Sequence, residues 1–283
     1  MDHSNIHDSA YVKFHYTKGE RQDRSFIVLP GVLARGSEQI APVRSVLEGS
    51  GDILAVSYLG DEWLPESIAY SVAKTIKEAA SNSERFTIIG VSVGAYLAPL
   101  IVDYLPGDLQ KRTDVIVIDG PYGPDTLTPV PGWTYRLIRA GVMSWPGNAL
   151  GNVILDKSLR LPKRENIETD SDLAFSEAMK YKDKVIAKAR YNLSNHSWLL
   201  YAGQVRYMVE KEPYVSLLAK HNIHTVYVAC LSAKNDTVKQ PLAEARWRRM
   251  LLRMTSYEVD SAHASFLEAS RTWKREIAHI INL

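Results

Sequence analysis

The residues best placed to do chemistry are in Gly90-Val91-Ser92-Val93-Gly94, a G-x-S-x-G pattern. It lies between an apolar run at 86–89 that predicts a short buried strand and a helix pattern marked by Tyr96, Leu97, Leu100, Ile101, Tyr104 and Leu105. A serine at the tip of so tight a strand-to-helix turn is exposed to a substrate, and the two glycines let backbone approach where a Cβ would block it. The N-terminus of the following helix directs unpaired N–H groups at any negative charge that develops beside the serine. These residue types at this spacing predict a nucleophilic serine, Ser92.

A serine nucleophile needs a base within hydrogen-bond reach and a group that orients the base. The chain has eight histidines. His3 and His7 lie in a polar N-terminal tail, His15 in an early strand, His196 in a long helical span, and His279 in the last helix. His221 and His224 precede a strand, at the end of a parallel sheet where sites do not gather. His263, in Val259-Asp260-Ser261-Ala262-His263, follows the carboxyl end of a strand and is the expected base. For the acid, Asp236 follows the run Thr225–Cys230 and Asp119 follows the run 115–118. Asp260 is so close to His263 that it would have to fold back sharply. The chain order serine, acid, histidine puts Asp236 first and leaves Asp119 as its competitor.

These residues need a scaffold. Positions 10–18 alternate loosely and predict an antiparallel strand at a sheet edge. The runs 26–29, 53–58, 86–89 and 115–118 read as strands, and Leu64, Ile68, Val72, Ile76 and Ala79 mark a helix with Pro65 near its start. Continuous apolar runs are what strands buried on both faces show. The fold class expected is α/β, with a mostly parallel central sheet and helices on both faces. The alternation stops at Pro121 and resumes at Thr225–Cys230 and 256–259, followed by a last helix at 266–281. The interval is too long for a passive loop and carries helical patterns at 171–191 and 195–209. The expected organisation is a core of 1–120 and 213–283 with an inserted helical cap at 121–212.

Composition excludes other classes. Of 283 residues, 46% are hydrophobic and 23% charged, with a net charge of +2, so neither nucleic acid nor a membrane surface is an expected partner. Arg246, Arg248, Arg249 and Arg253 read as a solvated face, and His221 with His224 lacks the carboxylates a metal site would need. The single cysteine, Cys230, has no internal partner for a disulfide. The polar, acidic first ten positions are unlike a signal peptide and no apolar run approaches membrane-spanning length, so a cytoplasmic protein is expected.

From about Tyr11 to the C-terminus, the chain resembles the α/β-hydrolase superfamily. The resemblance rests on Gly90-Val91-Ser92-Val93-Gly94, on Asp236-Thr237-Val238, and on His263 with Phe266-Leu267-Glu268 after it. It implies the α/β-hydrolase fold, with Ser92 as nucleophile, Asp236 as acid, His263 as base, and an oxyanion hole made by the backbone N–H groups of Val93 and Val32. It implies no cofactor and no metal. Several positions depart from the family pattern. Pro30-Gly31 stands where His-Gly is common, Ala233 and Ala262 replace glycines before the acid and the histidine, Pro241 comes one place late, and Ser57-Tyr58-Leu59-Gly60-Asp61 replaces Asp-x-x-Gly-x-Gly. A serine, where relatives that open epoxides or cleave carbon–halogen bonds use a carboxylate, leaves acyl transfer to water.

The function expected is hydrolysis of a carboxylic ester or lactone, with a small-molecule acyl substrate. A ligand receptor with little turnover, an acyltransferase and a carbon–carbon bond hydrolase are the alternatives on the same triad. The cap aromatics Trp133, Tyr135, Trp145, Trp198 and Tyr201 are candidate lining for the substrate pocket.

Overall fold

The structure, a computed structural model, describes residues 6–21, 23–32, 44–60, 62–79, 83–127, 198–231, 237–260 and 270–282. Its centre is a seven-stranded sheet built from β1 (Val12–Thr17), β2 (Arg24–Leu29), β3 (Asp52–Tyr58), β4 (Arg85–Val91), β5 (Thr113–Ile118), β6 (Thr225–Cys230) and β7 (Met254–Val259). The order across the sheet is β1-β3-β2-β4-β5-β6-β7. Only β1 runs antiparallel, pairing Val12 with Tyr58 and Thr17 with Ile53 at the sheet edge, and every other neighbouring pair is parallel. Each strand read from the sequence is present, including the antiparallel one at the edge.

The continuous apolar runs have the expected cause. Every residue of β3 and β6 is buried, because side chains on both faces meet helices. Ile27, Leu29, Ile88, Val115, Val117 and Tyr227 point into one core, shared with α2 (Pro65–Ala79), α3 (Gly94–Tyr104), α6 (Val215–Lys220) and α7 (Gln240–Met250). Their neighbours Phe26, Val28, Ile89, Val91, Ile116 and Ile118 point into a second core. That core is closed by Leu47 of α1 (Arg44–Ser50) and by Trp273, Ile277 and Ile280 of α8 (Ser270–Ile280). A short α4 (Gly107–Gln110) leads into β5. This alternation of period two is what a parallel sheet covered on both faces requires.

Between β5 and β6 the described chain has a 3-10 turn (Pro124–Thr126), α5 (Trp198–Glu210) and α6. Leu200, Gln204 and Met208 of α5 are buried, so the helix lies on the core by one face. The two ends of this long excursion meet: Arg246 of α7 ion-pairs with Asp125 at the way out and, at 3.6 Å, with Glu212 at the way back. The carbonyl of Thr126 accepts the N–H of Lys239 at 2.8 Å, and Leu127 bridges Val238. The predicted helix at 171–191 lies outside the described residues, and the one at 195–209 corresponds to α5.

Candidate active site

The carboxyl ends of the parallel strands form one edge of the sheet, and Ser92 sits on it between β4 and α3. Its backbone is left-handed, with φ of 50°. A residue with a Cβ adopts that conformation at a cost, and such outliers gather at functional sites. Two hydrogen bonds and two close backbone approaches hold the turn in this shape. The Ser92 N–H donates to the Ile118 carbonyl at 3.0 Å, and its own carbonyl accepts from Ala95 N–H at 3.0 Å. At Gly90 a Cβ would lie 2.8 Å from the Ala95 Cα, and at Gly94 one would lie 2.3 Å from the Leu29 carbonyl oxygen. The two glycines of the motif are therefore required by close backbone approach on both sides of the serine. Val93 is the N-cap of α3 and makes no side-chain cap hydrogen bond, while the Tyr96 N–H turns back to the Val93 carbonyl at 3.1 Å.

The next strand ends in a second strained residue. Asp119 has φ of 54° and is fully buried, and its N–H donates to the Val228 carbonyl at 2.9 Å. The register pairs Val91 with Ile118, so Asp119 lies beside Ser92 on the same edge. The turn is fixed at Gly120, where a Cβ would lie 2.5 Å from Val117 Cγ1 and 2.8 Å from Ala95 Cβ. The Gly120 carbonyl accepts from the Tyr227 hydroxyl and from Trp247 Nε1, both at 3.1 Å. Tyr227 Oη also lies 2.9 Å from the side-chain amide of Gln240, whose nitrogen is otherwise a buried donor with no acceptor. The Tyr227 hydroxyl thus faces two acceptors, the Gly120 carbonyl and Gln240 Oε1. Burial, then the negative charge of Asp119, pushes the Tyr227 phenol well up. It stays a neutral donor.

An arc of aromatic rings runs from β3 to α3 along the same edge. Tyr58, the last residue of β3, donates to the Pro30 carbonyl at 3.1 Å and so grips the segment after β2 that holds Gly31 and Val32. Trp63 stands edge-to-face against Tyr58 with centroids 5.0 Å apart. Tyr207 of α5 meets Trp63 at 6.4 Å and Tyr96 of α3 at 5.7 Å. Tyr96 donates to the Met208 carbonyl at 3.4 Å, and burial holds its phenol well above the usual tyrosine range. The arc thus joins the segment after β2, the helix after Ser92, and α5.

No protein-family model matches the sequence, and a sequence comparison with the curated proteins finds no match. Solved structures do match it. An enol-lactonase from Burkholderia xenovorans is 15% identical with a TM-score of 0.66, covering 97% of this chain and 99% of its own. A thermophilic esterase from Thermogutta terrifontis is 15% identical with a TM-score of 0.64, over 96% and 93%. A meta-cleavage product hydrolase from Pseudomonas fluorescens is 12% identical with a TM-score of 0.64, over 99% and 98%. The topology and these matches over nearly the full length agree. The chain has the α/β-hydrolase fold.

Within this α/β-hydrolase fold the sequence-predicted residues fall into two groups. Ser92, Val93, Val32 and the competitor Asp119 are described. Val32 is partly buried against the core just beyond β2, next to the buried Gly31. Asp236 and His263 lie outside the described residues, as do Trp133, Tyr135 and Trp145. Trp198 opens α5, and its side chain also lies outside the described residues. Tyr201 follows on α5, where burial pushes its phenol up to about 12.

Four histidines, His15, His221, His224 and His279, are engaged elsewhere. His15 meets Ser57 at 3.0 Å, and His221 meets Asp103 at 2.8 Å, with Lys220 on the same carboxylate. His224 lies 3.7 Å from Asp114, and His279 lies against the Tyr257 ring at 5.3 Å. Hydrogen bonds from His221 and Lys220 hold the Asp103 carboxyl below its usual range. Arg248, Arg249 and Arg253 are exposed, as expected of a solvated face, but Arg246 is not idle. It ties the two ends of the excursion and stacks 5.9 Å over Tyr122. Among the described residues no three His, Cys, Asp or Glu side chains are grouped to hold a metal ion, and no helix is long and apolar enough to cross a membrane.

The sequence reading missed Tyr58, Trp63, Tyr207 and the clamp on Gly120. One signal was available for Trp63: an aromatic residue five positions past the carboxyl end of a predicted strand, at the edge where α/β sites gather.

Proposed function

We propose that this protein is a cofactor-free serine hydrolase that cleaves a carboxylic ester or lactone through an acyl-enzyme on Ser92. The observation that carries the reading is the left-handed Ser92 between β4 and α3, braced by Gly90 and Gly94 at the carboxyl edge of a parallel sheet. The printed names of the matching structures, an esterase, an enol-lactonase and a meta-cleavage product hydrolase, support a hydrolytic reaction.

In this reading Ser92 Oγ attacks the acyl carbon while His263 takes its proton. The oxyanion accepts hydrogen bonds from the N–H groups of Val93 and Val32, donors already in place before charge develops. Collapse of the tetrahedral intermediate breaks the bond to the alkoxy oxygen, and His263 returns the proton to it. Water then attacks the acyl-enzyme as His263 takes its proton, the acid leaves, and Ser92 Oγ is reprotonated. Asp236 orients the imidazole and stabilises its charged form. Trp133, Tyr135, Trp145, Trp198 and Tyr201 of the cap at 121–212 close an apolar pocket over the acyl group. The enzyme acts in the cytoplasm on a small molecule, with neither nucleic acid nor membrane as partner.

The test is a panel of short-chain esters and lactones with the parent protein and Ser92→Ala. The parent turns over at least one class, and Ser92→Ala folds normally and loses kcat by about a thousandfold or more. A folded Ser92→Ala protein with near-parent turnover would overturn the proposal. A folded parent that binds these esters and hydrolyses none would favour the receptor reading.

A further inference from the structure

Trp63 has a buried donor that its surroundings do not use. The side chain is 7% exposed, and its Nε1 has no hydrogen-bond partner among the described residues. Indole N–H can only donate, and a buried donor without an acceptor is costly enough that most are paired. The ring fills the seam between the core and α5, where a Cβ on Gly203 would lie 2.7 Å from the Trp63 Cβ. A phenylalanine would fill that seam without the orphan N–H.

The position of the ring gives the donor a use. Trp63 packs on Tyr58, and Tyr58 grips Pro30, two residues before the Val32 N–H assigned to the oxyanion. Across the seam it meets Tyr207, which meets Tyr96, four residues past Ser92. The donor is therefore carried by a ring that bridges the two segments flanking the acyl carbon in the reading above. The chemistry of the surroundings selects the acceptor. Tyr58, Tyr96 and Tyr207 all have phenols raised by burial and stay neutral. Burial, then Tyr214, then the Glu66 carboxylate of α2 raise the Tyr207 phenol, and that carboxylate disfavours an anion.

We infer that Trp63 is a specificity-determining residue whose Nε1–H donates to a neutral acceptor oxygen, a ketone or ether, in the acyl part of the substrate. The inference rests on the hydrolase reading for the identity of that substrate. An N–H turned onto the face of Tyr58 is the structural alternative, since the two rings meet at 83°.

The test uses full-length Ser92→Ala protein with nitrogen-labelled indoles, so that esters bind without being consumed. One of the six tryptophan N–H resonances is assigned to Trp63 by its proximity to the Tyr58 ring and by its loss in Trp63→Phe. Ethyl hexanoate is compared with its oxo derivatives carrying a ketone at each internal chain carbon in turn. At least one ketone ester moves the Trp63 N–H downfield, and ethyl hexanoate does not. In the parent background kcat/KM favours that ketone ester by about tenfold more than in Trp63→Phe, the size of one buried hydrogen bond.

A Trp63 resonance that stays upfield and unmoved while the esters bind overturns the inference, and so does an unchanged preference in a folded Trp63→Phe. The resonance test needs only a folded Ser92→Ala protein, because proximity to the Tyr58 ring assigns the signal even if Trp63→Phe fails to fold. Selective movement of the Trp63 signal without any turnover by the parent sinks the hydrolase reading and leaves the donor role standing. Hydrolysis at Ser92 with an unmoved Trp63 signal does the reverse.

Discussion

Ser92 and Asp119 are neighbours on the sheet edge, both in left-handed backbone and both buried. The first was legible in the sequence, because Gly90 and Gly94 flank it at the spacing that close backbone approach demands. The strain at Asp119 was not, because its causes are distant in sequence: Tyr227 and Trp247 on Gly120, and Ala95 against the place of a Gly120 side chain. Asp119 is thus held by the fold whether or not it serves the reaction, while the proposal gives the orienting role to Asp236. Asparagine at each position separates the two. Asp236→Asn is expected to lower kcat by about a thousandfold or more and Asp119→Asn by less than about tenfold, with both proteins folded by circular dichroism. The opposite ranking would transfer the role to Asp119.

The strands were readable because burial on both faces leaves little room for polar residues, and β3 and β6 are buried throughout. Short helices were not. In α1, seven residues carry Val46 and Leu47 as their only large apolar side chains, too few to show a period, and Leu47 reaches the second core only through the tertiary fold. The aromatic arc escaped for a related reason, since Tyr58, Trp63, Tyr96 and Tyr207 come from four separate segments. The elbow, in contrast, is a local device and makes a local prediction. Gly94→Ala forces a Cβ to within 2.3 Å of the Leu29 carbonyl oxygen, a backbone atom with nowhere to go. The expected loss is about 2 kcal/mol or more, read as a Tm lower by several degrees or as insoluble protein. A Gly94→Ala protein with parent Tm and activity would contradict the packing described at the elbow.

At the scale of the whole molecule, one α/β sheet carries a long excursion whose two ends are drawn together by Arg246, Asp125 and Glu212 beside the edge that holds Ser92. The sequence showed this as a gap in the strand pattern after Pro121. The packing of α5 on Trp63 and Tyr96 lay beyond its reach, because helical periodicity marks a face without naming what covers it. The cap is proposed to govern which acyl groups reach the serine. Trp198→Ala is expected to shift the preferred acyl length in a kcat/KM series while changing acetyl ester hydrolysis by less than about threefold. A uniform drop along the series would mean that Trp198 packs the fold and selects nothing.

The central claim is that Ser92 is the nucleophile, and covalent labelling tests it most directly. The folded protein is treated with a fluorophosphonate, and its intact mass and labelled peptide are measured alongside ester turnover. The account predicts one adduct per chain, on the peptide that carries Ser92, formed in step with loss of turnover and absent from Ser92→Ala. Turnover that survives complete labelling of Ser92, or an inactivating adduct on another residue, would contradict it.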